Sequence, residues 1–274
     1  HWTSLVRKAV DPGVNLFDTS ESYGWGASEE MLGLGLEGIT EASIATKISR
    51  GRETNAHDFS AARVIRQCEA SLRRLRRETI DIYQLHSPTG EEMERFDWVE
   101  GMERLVKDGK IRFPAVAARS AADGVWLLRK GCVRVLQITY NVFETDADAE
   151  LFALALEKGV GIMGRMPLAR GVLTGKFAAG QEVPKGHRAH LDGGKMTRRI
   201  ELAEQLRPLA ASYPGGMTRM AHHFALTPRG MSAIIPGART IEQLAENAAA
   251  SNGVGLEPVL RVRIDALRAA WADA

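Results

Sequence analysis

The sequence predicts an α/β chain folded as a (β/α)8 TIM barrel, and three observations lead there. Short apolar, β-branched runs alternate with longer stretches of helical period, the pattern of repeated strand–helix units around a parallel sheet. Polar residues of reactive type close several of those runs, where barrel enzymes carry their chemistry. The length of 274 residues suits one barrel, read as a single domain over 1–274. A doubly wound sheet gives the same alternation and is the second architecture to weigh.

The strand expectations, in order, are 14–17, 43–48, 80–85, 111–117, 133–139, 160–164 and 233–235. Helical period covers 29–36, 60–77, 92–107, 121–129, 147–158, 197–212 and 241–249. Glycine stops at Gly109, Gly131 and Gly159 support three of these boundaries, and Pro228-Arg229-Gly230 breaks the chain before the last strand. Residues 2–10 read as a helix with Leu5, Val6 and Ala9 inward, ended by Asp11-Pro12-Gly13. That leaves seven strands, and an open seven-strand barrel exposes an edge. The eighth, first in order, is therefore expected upstream of His1, which is neither an initiator Met nor part of a signal peptide. Residues 177–195, rich in Gly and His, read as a long loop.

Composition narrows the function. With 45% hydrophobic and 26% charged residues the chain is an ordinary globule, and no stretch nears the ~20 unbroken apolar residues of a membrane helix. Lys+Arg 36 against Asp+Glu 34 leaves +2, with the basic residues dispersed, so no nucleic-acid partner is expected. The densest cluster, Arg73-Arg74-Leu75-Arg76-Arg77, lacks interleaved aromatics and reads as the solvated end of a helix. Two cysteines, Cys68 and Cys132, are too few for a disulfide framework and lie in no metal spacing, which predicts a reducing, cytoplasmic setting.

Asp18 closes the first run, Lys47 the second and His86 the third, with Tyr23 five residues past Asp18 in a glycine-rich loop. A carboxylate, an ammonium, a phenol and an imidazole on one rim form a proton-delivery device. Tyrosine ionises near 10 when unperturbed, so it is a weak acid at neutrality. An adjacent Lys47 favours the phenolate, Asp18 orients the ammonium, and His86 donates to a substrate oxygen. Such a set suits carbonyl reduction.

These residues carry a resemblance. Gly13-Val14-Asn15-Leu16-Phe17-Asp18-Thr19-Ser20, then Tyr23-Gly24, then Ser28-Glu29-Glu30-Met31-Leu32-Gly33, resembles the first signature of the aldo-keto reductases. Ile44-Ala45-Thr46-Lys47 is similar to the segment with the family's lysine. Ser71-Leu72-Arg73-Arg74-Leu75 with Asp81-Ile82-Tyr83-Gln84-Leu85-His86 is similar to the segment with its histidine. The resemblance implies a tetrad of Asp18, Tyr23, Lys47 and His86. Pro167, Leu168, Gly171 and Lys176 fall in a run similar to the family's loop along the cofactor pyrophosphate. Gly237 and Arg239, with Gln243 and Asn247 on the next helix, resemble its adenosine-phosphate site. A guanidinium beside a glycine turn and a helix N-terminus suits a 2′-phosphate, so NADPH is implied over NADH. Arg165 stands where many members stack an aromatic ring on the nicotinamide, and its flat guanidinium can do the same.

One stretch departs from the family. Its usual Gly-Val-Ser, often followed by Asn, holds the nicotinamide carboxamide, whereas this strand ends Ala115-Val116-Ala117-Ala118. Gln137 on the next strand still offers an amide, and each forgone neutral bond is worth ~1 kcal/mol.

Several tempting features carry less. Gly33-Leu34-Gly35-Leu36-Glu37-Gly38 satisfies G-x-G-x-x-G, yet it ends a helix and precedes a strand, the reverse of the phosphate-binding order. His187, His190, His222 and His223 show no metal-ligand motif and read as loop or surface residues. Trp25 is equally a substrate wall or simple packing, and Tyr83 and Tyr140 read as core or lining. The expected function is NADPH-dependent reduction of a small-molecule aldehyde or ketone. The alternatives are a nicotinamide-sensing regulatory subunit, similar to barrels of potassium-channel β-subunits, and a sugar-nucleotide ketoreductase of secondary metabolism. Substrate identity and oligomeric state have no readable motif, because such contacts lie in variable loops.

Overall fold

The structure, a computed structural model, describes residues 2–180 and 195–272. Its strands are β1 (Leu16–Asp18), β2 (Ser43–Ile48), β3 (Ile80–His86), β4 (Ile111–Ala117), β5 (Val135–Thr139), β6 (Gly161–Arg165) and β7 (Met231–Ile235). All seven lie parallel in one sheet, in the order of the chain. A doubly wound sheet reverses its strand order at a switch point, so the unbroken order favours the barrel. Closure is visible in the interior: Leu16, Ala45, Ile82, Ala115, Val135, Met163 and Ile235, one from each strand, pack into a single cluster. The first and last strands can share that cluster only if the sheet curls round on itself. Among the described residues β1 and β7 are each paired on one side only.

Around the sheet lie α1 (Trp2–Val10), α2 (Ala27–Gly35), α3 (Ala61–Leu75), α4 (Gly90–Arg95), α5 (Trp98–Lys107), α6 (Ala121–Lys130) and α7 (Leu151–Lys158). They are followed by α8 (Lys195–Ala211), α9 (Gly216–Leu226), α10 (Ile241–Ala248) and α11 (Pro258–Ala272). The larger core fills the space between the strands' outer side chains and these helices, as α3 illustrates. Val64, Cys68, Leu72 and Leu75, spaced by one turn, are buried against the sheet side with Ile48, Ile80, Tyr83 and Leu85. Gly109, Gly131 and Gly159 end their helices at φ of 70°, 71° and 64°, conformations that side chains resist.

The structure corrects several boundaries. Residues 92–107 form two helices, not one, because the Thr89 capping box starts α4 early and Phe96 turns extended before α5. The strands at the first, sixth and seventh places end later or start earlier than the apolar runs, so Asp18 and Arg165 are the last residues of β1 and β6. Lys47 lies inside β2, one residue before its end. Helices α9 and α11 escaped the sequence reading. Residues 177–180 have neither helix nor strand and Lys195 begins α8, while the rest of the predicted loop, with His187 and His190, lies outside the described residues.

His222 and His223 are not on the surface: both are buried in α9. His223 shares a hydrogen bond with the Tyr213 hydroxyl at 2.6 Å and reaches Ala250 O at 3.1 Å. Neither ring nitrogen of His222 has a partner among the described residues, and burial pushes its pKa down to about 4. Tyr83 and Tyr140 are core, as expected. Gly33 is in mid-helix, where a Cβ would come within 2.7 Å of the Leu75 carbonyl, so its role is helix packing. No helix among the described residues is long and apolar enough to cross a membrane.

The arginine cluster is only partly solvated. Arg74 pairs at 2.6 Å with Glu29, which is fully buried and also accepts from Thr46 Oγ1 at 2.6 Å, and Arg77 donates to Leu36 O and Ile39 O. Removing one partner of such a pair strands a charge in a poor dielectric. Arg74→Met is expected to cost about 2 kcal/mol or more, read as a lower urea midpoint at unchanged slope. A variant as stable as the parent rules this out.

Candidate active site

Successive side chains of a strand alternate in direction, so a residue two places beyond an interior one faces the same way, nearer the mouth. Two places beyond Leu16, Ala45, Ile82, Ala115, Val135 and Met163 stand Asp18, Lys47, Gln84, Ala117, Gln137 and Arg165. Five of these six are polar, and His86 follows Gln84 by a further two. The barrel thus carries an apolar plug capped by a reactive rim.

Lys47 is fully buried, and Nζ donates to Asp18 Oδ2 at 2.5 Å and to Thr19 O at 2.8 Å. The second oxygen of Asp18 accepts from Gln137 Nε2 at 2.8 Å and Gln84 Nε2 at 3.2 Å. Burial lowers the Lys47 pKa, and the carboxylate opposes that shift. Tyr23, on the turn between β1 and α2, is half-exposed at the mouth. The Lys47 ammonium lies 5.5 Å from its ring centre, and the His86 ring meets it edge-on at 5.8 Å. Asp18, Tyr23, Lys47 and His86 are therefore brought together.

His86 Nδ1 faces two hydroxyls, Ser49 Oγ at 2.5 Å and Ser20 Oγ at 3.0 Å. Burial, then the charges of Lys47 and Arg165, push its pKa down to about 3. Arg165 is held by Thr139 Oγ1 at 3.0 Å and Ala118 O at 2.9 Å. Burial lowers its pKa too, against the pull of Tyr23 and Asp18.

Three further groups occupy the rim. Trp25, at φ 53° and half-exposed, lies under the Arg52 guanidinium at 5.8 Å. Its neighbours Glu21, Arg50, Arg63 and Gln67 line a 270 Å³ cavity with it. Pro167 and Leu168 lead into the short 3-10 segment Ala169–Thr174, in which Gly171 turns at φ 89° beside the Lys176 ammonium. At the far end, Thr240 caps α10, Arg239 N donates to Gln243 Oε1 at 2.9 Å, and Asn247 Nδ2 to Gly237 O at 3.3 Å.

Sequence reasoning assigned Gln137 to a cofactor amide, whereas its Nε2 is engaged by Asp18. It missed Gln84, Thr19, Ser20 and Ser49. Gln84 and Ser49 were legible in principle, each two places from a residue already singled out.

Residues 2–259 match the Aldo/keto reductase family. An NADH-specific methylglyoxal reductase of Escherichia coli (strain K12) is 28% identical over 272 residues, covering 90% of this chain and 81% of its own. A glycerol dehydrogenase from Gluconobacter oxydans superposes with a TM-score of 0.84 at 27% identity, over 98% of this chain and 85% of that one. An aldo-keto reductase from Klebsiella pneumoniae in complex with NADPH, 23% identical, shares the fold at a TM-score of 0.76, over 97% and 84% of the two chains.

A histidine whose folded pKa is about 3 binds no proton where the unfolded one, ionising near 6.5, does. The stability it contributes is therefore present above pH 6.5 and is lost as pH falls toward 3. In NMR titrations the His86 ring protons are expected to hold still from about pH 8 to about pH 5. A midpoint near 6.5 contradicts the assignment.

Proposed function

The chain belongs to the aldo/keto reductase family of nicotinamide-dependent oxidoreductases, and from that premise we propose that it reduces an aldehyde or ketone to an alcohol, with NADPH as hydride donor and Tyr23 as general acid. The observation that carries the reading is the convergence of the Tyr23 ring on the Lys47 ammonium and the His86 ring, with Lys47 itself anchored on Asp18. The cofactor supplies the hydride. The protein's share is to place a proton donor and to stabilise charge on the carbonyl oxygen as it forms. A phenol gives up its proton more readily beside a buried cation, and Asp18 holds that cation in line. His86, neutral at physiological pH, leaves Nε2 to touch the same oxygen.

The donor set fits a dinucleotide. Arg165 presents a fixed guanidinium face on which a nicotinamide can stack, where many members of the family carry an aromatic ring. Pro167, Leu168, Gly171 and Lys176 suit a pyrophosphate, with the ammonium at Lys176 as its counter-charge. Gly237, Arg239, Gln243 and Asn247 surround the capped N-terminus of α10, where a Cβ on Gly237 would meet nothing within 4 Å. A phosphate there finds both a helix end and a guanidinium, which favours NADPH although one relative is NADH-specific. Trp25 forms a wall for the substrate. Residues 1–274 belong to one barrel domain that acts on a small molecule, with no nucleic-acid partner, in the cytoplasm.

Replacing Tyr23 by Phe should lower turnover of an aldehyde by about 10²-fold or more, while NADPH fluorescence titrations stay at the parent value. Undiminished reduction refutes the role. NADPH binding by the parent with no turnover across a panel of aldehydes supports a sensor instead. Arg239→Met should weaken NADPH about ten-fold, the value of one charged hydrogen bond, and leave NADH unchanged; equal losses for both cofactors sink the 2′-phosphate assignment.

A further inference from the structure

The imidazole of His86 sits in an unusual environment for its Nδ1 side. Ser20 and Ser49 are buried, and both present hydroxyls to that nitrogen, at 3.0 and 2.5 Å. A third hydroxyl, on Ser22, completes the cluster: Ser49 Oγ donates to Ser22 Oγ at 3.1 Å, and Ser20 Oγ lies 3.1 Å from the same atom. Ser20 Oγ also donates to Lys47 O at 3.3 Å. The carboxyl next in sequence, Glu21, spends one oxygen on Ser49 N at 2.7 Å and faces Arg63 at 3.6 Å. Hydroxyls can give or take a hydrogen bond by turning, whereas a carboxylate can only accept and would pin the ring proton on Nδ1.

We propose that Ser20 and Ser49 are positioning residues for His86: a rotatable hydroxyl clamp on Nδ1 that lets Nε2 face the substrate either as donor to a carbonyl oxygen or as acceptor from an alcohol. Proton counting supports both forms. With the proton on Nε2, the Ser49 O–H points at Nδ1 and the Ser20 O–H at Lys47 O. With the proton on Nδ1, that N–H donates to Ser49 Oγ, whose own O–H turns to Ser22 Oγ. Each form uses contacts already in place, and neither leaves a buried donor unmatched. The ring stays uncharged throughout, because burial disfavours its charged form and the positive charges of Lys47 and Arg165 add to that. The clamp rests on the oxidoreductase reading and extends it: one rim binds both the oxidised and the reduced member of a substrate pair.

The test uses the intact protein with 15N-labelled histidine, and NADPH with 4-nitrobenzaldehyde or NADP+ with 4-nitrobenzyl alcohol as probes. In the resting parent, the two ring nitrogens of His86 are expected to show intermediate 15N shifts, the signature of exchanging tautomers; in Ser20→Ala/Ser49→Ala they separate into one fixed form. The same variant should lose about ten-fold in kcat in both directions with the dissociation constant of NADPH unmoved, and Ser49→Thr, which keeps the hydroxyl, should restore most of it. Unchanged shifts in the double alanine variant, or a loss in Ser49→Thr equal to that in Ser49→Ala, overturns the clamp. If the parent turns over neither probe the oxidoreductase reading fails, and the resting-state shifts still decide the clamp by themselves.

Discussion

The contact between Lys47 and Asp18 is the constraint on which the rest of the molecule turns. An ammonium with no exposed surface is tolerable only against a matched anion and full hydrogen bonding, since its desolvation otherwise costs several kcal/mol. The fold meets that demand from four strands: β2 brings the cation, β1 the carboxylate and the Thr19 carbonyl just past its end, and β3 and β5 the amides of Gln84 and Gln137. A pair so tied cannot drift, and β1, only three residues long, is fastened to the barrel as much by this bond as by its ladder with β2. Breaking it would release the phenol's electrostatic neighbour and loosen an edge of the sheet together.

Around that pair the electrostatics are graded. Cations are concentrated at the mouth, in Lys47, Arg165, Arg50 and Arg52, while the acids nearby are already engaged: Glu21 with Arg63, Glu29 with Arg74, Asp18 with Lys47. Such a field opposes protonation of His86 and welcomes a developing oxyanion, two effects of one cause. Backbone tension accompanies it, since Trp25, Ser87 and Met166, each within two residues of a group on the rim, hold left-handed φ without being glycine.

How much of this could be read from the chain follows from physics that is local. Strand positions were legible because β-branched runs are short and bounded, and the tetrad because Asp18, Lys47 and His86 each close such a run while Tyr23 follows Asp18 in a glycine-rich loop. Helices α9 and α11 were hidden, since α9 mixes two histidines into an apolar face and α11 spaces its arginines through the period. His223 is held by Tyr213, ten residues before it, and by the Ala250 carbonyl, 27 residues after it, so its burial follows from how α9 packs and not from its immediate neighbours in sequence. Alternation along β2 could have pointed to Ser49, but its meeting with Ser20 could not be read: the two are 29 residues apart and come together because β1 and β2 pair in register.

The separation between the apolar plug and the polar rim has an evolutionary reach. In β1 to β6 one inward position helps hold the barrel shut and the next inward position, polar in all but β4, faces the mouth, so the two jobs are mutable apart. Ala117 stands as an instance: a vacant outlet on β4 whose neighbours keep their places, with the guanidinium of Arg165 tied to the adjoining Ala118 carbonyl. A lineage can thus trade its catalytic repertoire one strand at a time, without re-solving how the chain folds.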